Sequence, residues 1–465
     1  MAVQVREGGL QVGARRVSWL SLVLLTCVAA RLAVLLAFPS VFAFEQSGAV
    51  HGSEAYDAYA QNLLTTGVYG RSAGIPDAAI PPLYSYALAA IYALFGRGYW
   101  QVGLFHTLLD CLSIYFLVAI GTRLFDRRAG LLAGLAYALY PYLIFQNLTL
   151  IDTPLFMALL YGFLWCMVLL RERPSLAVGV LGGAFLALAA LTRPVIVPLA
   201  PLGALWFLLR LSVWESVRRL LPVAAVSAAV VAPWLVWTYQ LYSAFVPIAT
   251  NGGMNFWFGN NPLTIPLVRN GYHPQWIRPE APLRTQDTRL ASDDLYQLSL
   301  AYLRENPQHI PELLWVKFLA YWSIDVFPTR NPIPGAMPFI DPEGTLRFQT
   351  EGGESFVPVT IGADDPVAAY SDALFDVVGR WLHRLYFGPL LLLALCGAAL
   401  SLRQWREVSL VWLAQLAMTV FYVIYIPATR YRVPTDPLLF LFSAHAALVV
   451  FEALRQAQVK HAKTA

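Results

Sequence analysis

Val17-Ser-Trp-Leu-Ser-Leu-Val-Leu-Leu-Thr-Cys-Val-Ala-Ala-Arg-Leu-Ala-Val-Leu-Leu-Ala-Phe38 contains one charged residue, Arg31, in a run long enough to cross the hydrocarbon core of a bilayer. The run is long for the apolar region of a signal peptide, and no small-residue cleavage site follows it, so it reads as a first membrane span near residues 18–40. The same pattern recurs along the chain. Comparable runs lie near 101–121, 129–148, 153–170, 175–192, 194–210 and 220–242, and again near 382–402, 408–427 and 436–454. Of the 465 residues, 58% are hydrophobic and 13% charged, against roughly half and about a quarter in ordinary globular domains. The predicted fold is therefore an all-α polytopic membrane bundle of about ten transmembrane helices, with no room for a separate soluble enzyme.

Two features give the bundle its orientation and its parts. Arginines and lysines concentrate in alternate loops: Arg15 and Arg16; Arg123, Arg127 and Arg128; Arg171 and Arg173; Arg210, Arg218 and Arg219; Arg403 and Arg406; then Arg455, Lys460 and Lys463. By the positive-inside rule these loops and both termini are cytoplasmic, and the cytoplasmic membrane of a bacterium is the expected location. The intervening loops then lie outside. They divide the chain into an N-terminal module of seven spans (1–242) with its first outer loop at 41–100, a periplasmic cap (243–381), and C-terminal spans with a cytoplasmic tail (382–465). Pro82 to Phe95 is apolar but short for a span and reads as an interfacial or re-entrant helix. In the cap, Asp293 to Glu305 and Glu312 to Tyr321 read as helices, followed by a Gly- and Pro-rich loop from Phe327.

Several function classes lose support. Cys27, Cys111, Cys166 and Cys396 fall inside apolar runs without metal-ligand or disulfide spacing; no cofactor is expected, and a divalent metal is neither indicated nor excluded. No Walker A loop, Rossmann fingerprint or internal repeat occurs. The net charge of +4 is accounted for by the cytoplasmic loops, so nothing points to nucleic acid.

The polar groups that remain gather on the outer side. His51-Gly-Ser-Glu-Ala-Tyr-Asp-Ala-Tyr-Ala-Gln-Asn-Leu-Leu-Thr-Thr-Gly67 predicts an interfacial helix with Ser53 as N-cap and Gly67 as C-cap. Tyr56, Tyr59, Ala60, Leu63 and Leu64 make its apolar face, while Glu54, Asp57 and Gln61 make the other. That second face reads either as a solvated acidic surface or as a pair of carboxylates available as general base toward a hydroxyl. Asp152, in Leu150-Ile-Asp-Thr-Pro-Leu-Phe156, either caps the next helix or belongs to the same site. Arg193, Lys317, Arg430 and Arg432 put positive charge in outer loops against the general trend, which suits either phosphate recognition or pairing with outer acids such as Asp325 and Asp436. Thr250-Asn-Gly-Gly-Met-Asn-Phe-Trp-Phe-Gly-Asn-Asn-Pro262 reads either as a plain turn or as a loop whose amides and flat rings suit a sugar or a lipid-linked phosphate.

Taken in order, these pieces resemble the GT-C superfamily of membrane glycosyltransferases, in the bacterial branch similar to dolichyl-phosphate-mannose protein mannosyltransferases and aminoarabinose transferases. The resemblance rests on Tyr56-Asp-Ala-Tyr-Ala-Gln-Asn-Leu-Leu64, Pro81-Pro-Leu-Tyr84, Arg123-Leu-Phe125 with Ala129-Gly-Leu-Leu-Ala133, and Asp152-Thr-Pro154. Leu191-Thr-Arg-Pro194, the Asn251 to Pro262 stretch and Arg430-Tyr-Arg-Val-Pro434 extend it. It implies an inverting glycosyltransferase that takes a sugar from a polyprenyl-phosphate donor and passes it to a lipid, glycan or protein acceptor. Glu54 or Asp57 would be the base, with His51, Asp152, Arg193, Asn255, Asn260, Lys317, Arg430, Tyr431 and Arg432 around donor and acceptor. The sequence departs from the family where the leading acid is expected, at Gly52 and Ser53. A transporter of lipid-linked sugars and a non-catalytic assembly subunit are the competing readings; the former predicts polar residues at mid-membrane, where this chain has mainly Arg31, His106 and Asp110.

Overall fold

A computed structural model describes residues 10–12, 15–39, 54–274, 287–330, 337–349, 355–356 and 378–464. A short hairpin, β1 (Leu10–Val12) with β2 (Arg15–Val17), leads into α1 (Trp19–Ala37), whose first turn is capped by the Ser18 hydroxyl accepting from the Ser21 amide at 3.1 Å. There follow α2 (Glu54–Thr66), α3 (Leu83–Phe95), α4 (Tyr99–Leu124), α5 (Arg127–Ala138), α6 (Pro141–Gln146), α7 (Thr153–Glu172), α8 (Leu176–Thr192), α9 (Leu199–Leu208) and α10 (Val213–Tyr242). The long segment after α10 holds α11 (Gly252–Gly259), α12 (Thr264–Arg269), α13 (Thr288–Glu305) and α14 (Ile310–Tyr321). It also holds an antiparallel sheet of β3 (Met337–Ile340), β4 (Leu346–Gln349) and β5 (Ser355–Phe356). The chain ends with α15 (Gly379–Leu400), α16 (Trp405–Ile424), α17 (Thr429–Arg432) and α18 (Asp436–Thr464).

Among the described residues, six helical stretches are long and apolar enough to cross a membrane: Trp19–Ala37, Tyr99–Leu124, Thr153–Glu172, Val213–Tyr242, Gly379–Ile424 and Asp436–Ala462. Leu83–Phe95, Leu176–Thr192 and Pro194–Leu208 are shorter apolar helices. The chain is a helical, polytopic membrane protein. α7 is buried along nearly its whole length and packs against α4 and α8, while α10 is mostly exposed and so presents its apolar surface to lipid. Close backbone approach sets some of this packing. A Cβ on Gly397 of α15 would lie 2.0 Å from the Phe442 carbonyl of α18, so only glycine fits.

Three local expectations change. The run 129–148 is not one helix: Pro141 removes a donor, and the chain breaks at Leu139-Tyr140 before restarting as α6. The last helix runs past 454 to Thr464, because Arg455 to Lys460 are good helix formers whose side chains remain exposed. Part of the loop after Phe327 is the β3–β5 sheet, where Leu346 and Phe348 pack on Leu267 and Tyr272. Its period-two signal is only four residues long.

The arginine-rich loops converge at one end of the bundle. Arg123 pairs with Glu172, Arg128 with Glu452, Arg210 with Glu407, and Arg219 with Glu215 while donating to the Arg171 carbonyl at 2.8 Å. Inside the bundle Arg31 is fully buried against Asp110, which also accepts from the Tyr137 hydroxyl at 2.7 Å and the Asn147 amide at 2.6 Å.

Candidate functional site

The opposite ends of those helices surround a cavity of about 570 Å³. Pro194 stops α8 and leaves Arg193 as its C-cap, with its backbone N–H on the Ala189 carbonyl at 2.7 Å. From there the guanidinium meets Asp152 at the start of α7: Nε donates to Oδ2 at 2.8 Å, and Nη2 donates to Oδ1 and to the Thr153 hydroxyl at 2.6 Å. Asp152 stands at the N-cap position yet makes no capping bond, since both its oxygens are held by Arg193. Nη1 of Arg193 is buried without a hydrogen-bond partner among the described residues.

Across the cavity, α17 supplies Arg430 and Tyr431. The Arg430 guanidinium lies 4.7 Å from the centre of the Tyr431 ring and donates to its hydroxyl at 2.6 Å, leaving Nε buried and unpartnered among the described residues. Tyr431 in turn stacks on Tyr422 with centroids 4.5 Å apart. Phe421 near the end of α16 and Tyr425, the residue that follows that helix, stack at 4.5 Å and extend the aromatic wall to Tyr296, whose hydroxyl is 3.1 Å from that of Tyr425. Tyr56 of α2 closes the side near Asp152. Poor solvation, reinforced by the Asp152 carboxylate, pushes its phenol well above the ordinary range, so it remains a hydrogen-bond donor at neutral pH.

Asn255 reaches the same cavity from α11. The glycines of that stretch have a steric reason: a Cβ on Gly253 would sit 2.0 Å from the Ser292 carbonyl, and one on Gly259 would sit 1.5 Å from the Tyr425 carbonyl. Gly259→Ala is therefore expected to push α11 off the end of α16, costing about 1–3 kcal/mol, measurable as a lowered unfolding midpoint in detergent.

The structure thus brings Asp152, Arg193, Asn255, Arg430 and Tyr431 to one cavity. The other candidates stand elsewhere. Lys317 is buried, and its ammonium donates to the Gly259 carbonyl at 2.9 Å, Asn260 Oδ1 at 3.1 Å and the Ile424 carbonyl at 2.9 Å, so Lys317 and Asn260 clamp α11, α14 and α16 together. Arg432 is buried on Asp436 at 3.0 Å and donates to the Tyr321 and Ser323 carbonyls, which matches pairing with an acid. The acidic face expected on α2 is divided. Asp57 is buried, held by Arg97 at 2.9 Å, the Tyr92 hydroxyl at 2.8 Å and Gln61 at 2.6 Å, whereas Leu64 is exposed. The i, i+3, i+4 rule failed here because Arg97, forty residues away, supplies Asp57 with a counter-charge that local periodicity does not register. Glu54 begins α2 and is exposed; Gly67 ends the helix at φ 73°, as expected. His51 and Ser53 lie outside the described residues. The aromatic wall escaped the sequence reading, because Phe421, Tyr422 and Tyr425 look like the apolar end of a span.

Burial pushes the Lys317 pKa down to about 7. An unfolded lysine keeps its proton to roughly pH 10.4. Between those values the unfolded chain binds more protons, so this residue's contribution to stability rises with pH through that window and is flat below it. Compared with Lys317→Met, the wild-type unfolding midpoint is expected to gain from pH 7 to pH 9; equal slopes for the two proteins would contradict this.

Residues 79–237 match the family model described as dolichyl-phosphate-mannose-protein mannosyltransferase. No curated protein matches the sequence. Among solved structures, the oligosaccharyltransferase AglB of Archaeoglobus fulgidus, in complex with an inhibitory peptide and a dolichol-phosphate, superposes on 95% of this chain with a TM-score of 0.51 at 15% identity. The apo form of the oligosaccharyltransferase from that organism gives a TM-score of 0.52 at 15% identity over 95% of this chain. This chain covers 52% of either archaeal protein, about half its length. ArnT of Cupriavidus metallidurans bound to undecaprenyl phosphate is a looser likeness, with a TM-score of 0.42 and 16% identity, over 91% of this chain and 77% of that one. Residues 79–237 are thus similar to that mannosyltransferase family, and the fold of the archaeal oligosaccharyltransferase is shared along nearly the whole chain.

Proposed function

We propose that the protein transfers a sugar, with inversion, from a polyprenyl-phosphate donor to a lipid, glycan or protein acceptor at the outer face of a bacterial cytoplasmic membrane. The observation that carries this reading is the pair of cavity arginines, each with a guanidinium nitrogen that no described residue satisfies: Nη1 of Arg193 and Nε of Arg430. Guanidinium forks suit the oxygens of a phosphate. Asp152 and Thr153 hold Arg193 in place before any donor arrives, so it is pre-organised to stabilise the charge that develops as the sugar–phosphate bond breaks. The stacked rings of Phe421 and Tyr425 offer a flat face to a sugar. The dolichol-phosphate in the archaeal AglB complex is a carrier of the proposed class, which favours the assignment. The alternation of basic loops supports an outer location for the cavity and cytoplasmic termini.

In this reading Glu54 is the base that takes the proton of the acceptor hydroxyl, and Asp57 is a scaffold residue. Glu54 is exposed two residues before cavity-lining Tyr56, while Asp57 is spent on Arg97 and Tyr92. The scheme places no metal at Asp152, where a divalent ion would have to displace Arg193 from both carboxylate oxygens.

The test is transfer of radiolabelled sugar from synthetic polyprenyl-phosphate donors by purified, reconstituted protein. Glu54→Gln is expected to lose about 10²- to 10⁴-fold in turnover without a change in unfolding midpoint. Full transfer by that variant would overturn the base assignment, and no transfer or hydrolysis by wild type from any donor would overturn the function. Arg430→Ala is expected to lower kcat/KM for the donor roughly 10- to 100-fold, the range of one or two hydrogen bonds to a charged group, at nearly unchanged stability.

A further inference from the structure

α14 is apolar on both of its sides. One side, Leu313, Val316, Lys317, Ala320 and Tyr321, is buried against the protein. The other carries Leu314, Trp315, Phe318 and Leu319, which are 39%, 58%, 38% and 50% exposed. Trp315 and Phe318 stack on one another with centroids 5.8 Å apart, so the exposed rings form one surface. The single charge between Leu313 and Tyr321, Lys317, turns inward and bonds the Ile424 carbonyl at the end of α16 at 2.9 Å. On α16 itself Leu416, Val420 and Ile424, one turn apart, make an exposed apolar stripe of 51%, 48% and 42%. α16 belongs to a stretch long and apolar enough to cross the membrane, so that stripe faces lipid. It ends at the residue to which α14 is tied, so α14 sits at the end of a lipid-facing span.

We propose that α14 lies in the plane of the membrane, with Leu314, Trp315, Phe318 and Leu319 sunk into the leaflet at the cavity end. A contiguous face of four large apolar side chains marks an interaction surface, and tryptophan suits the level of the headgroups. Helices of this kind bury their apolar face about 5–10 Å into the headgroup–acyl boundary. The inner face of the same helix clamps Gly259 and Asn260 at the end of α11, whose Asn255 lines the cavity. The bilayer surface thereby sets the height of one cavity wall, a consequence that does not depend on the reaction performed there.

The test uses the full chain in vesicles of phosphatidylcholine and phosphatidylglycerol, with Cys27, Cys111, Cys166 and Cys396 changed to alanine. Single nitroxides are attached at Trp315→Cys, Leu319→Cys and, as a reference on the exposed turn between β3 and β4, Glu343→Cys. Oxygen concentrates in the bilayer and a nickel chelate stays in water. Labels at 315 and 319 are expected to collide mainly with oxygen and the label at 343 mainly with nickel. Nickel collisions at 315 and 319 matching those at 343 would overturn the proposal. So would shielding from both reagents, which would mean that protein, such as a second copy of the chain, covers the face. If Trp315→Cys does not reconstitute, labels at 314 and 318 give the same readout.

Discussion

Arg193→Ala is expected to abolish detectable transfer and to lower stability together, the largest combined effect of any single change at the cavity. The guanidinium and Asp152 form a nearly buried pair, with side-chain exposures of 10% and 6%. Removing the arginine strands a carboxylate in a poorly solvated site, which typically costs about 3–5 kcal/mol. It also removes one of the two cations proposed to face the leaving phosphate. Arg193→Lys separates these consequences. A lysine keeps the charge but cannot reproduce the two-point contact with Asp152 or extend a third nitrogen toward the cavity. It is expected to recover most of the unfolding midpoint while transfer stays well below wild type. The radiolabel assay and thermal unfolding, run on the same preparations, read both quantities. A lysine variant that restored transfer fully would show that charge alone suffices and that the forked geometry is incidental.

Asp110→Ala is the change expected to cost most in folding alone. It leaves Arg31 buried without its counter-charge and deprives the Tyr137 hydroxyl and the Asn147 amide of their shared acceptor. Each loss falls where water cannot compensate, so about 3–5 kcal/mol from the stranded charge is joined by the cost of the orphaned donors. The double variant Arg31→Met with Asp110→Leu is expected to be far more stable than Asp110→Ala, because exchanging a whole buried pair for apolar side chains of similar size removes the desolvation cost along with the attraction. Unfolding midpoints of both single variants and the double give the coupling. If the double variant were no better than Asp110→Ala, the burden would lie in the hydrogen bonds to Tyr137 and Asn147 rather than in the charge.

Which parts of the molecule were legible from the chain follows from the range of the forces that place them. The apolar run at 17–38 is an α-helix by its own composition, and α1 appears there with the Ser18 cap that the sequence supplies. Gly67 ends α2, and Pro194 fixes the end of α8 and so the station of Arg193, for equally local reasons. The alternation of basic loops separates the two ends of the bundle correctly, because each span returns the chain to the other side. Partnership is another matter. Arg193, Lys317, Arg430 and Arg432 are alike as deviations from the charge pattern, yet the fold sends the first and third to the cavity, Lys317 to a cage of carbonyls and Arg432 to Asp436. Asp57 and Glu54 share a helix and a sequence motif, and Arg97 with Tyr92 makes one a buried anchor while the other stays exposed.

The chain by itself therefore determined a helical membrane protein, the ends at which its polar groups collect, and the helix boundaries that carry Asp152 and Arg193. Only the tertiary structure decided which charges neutralise each other and which arginines line the cavity with a nitrogen unpartnered among the described residues. Composition and capping act within a few residues of where they are written, whereas the partner of a buried charge is chosen by helices packed from distant parts of the chain.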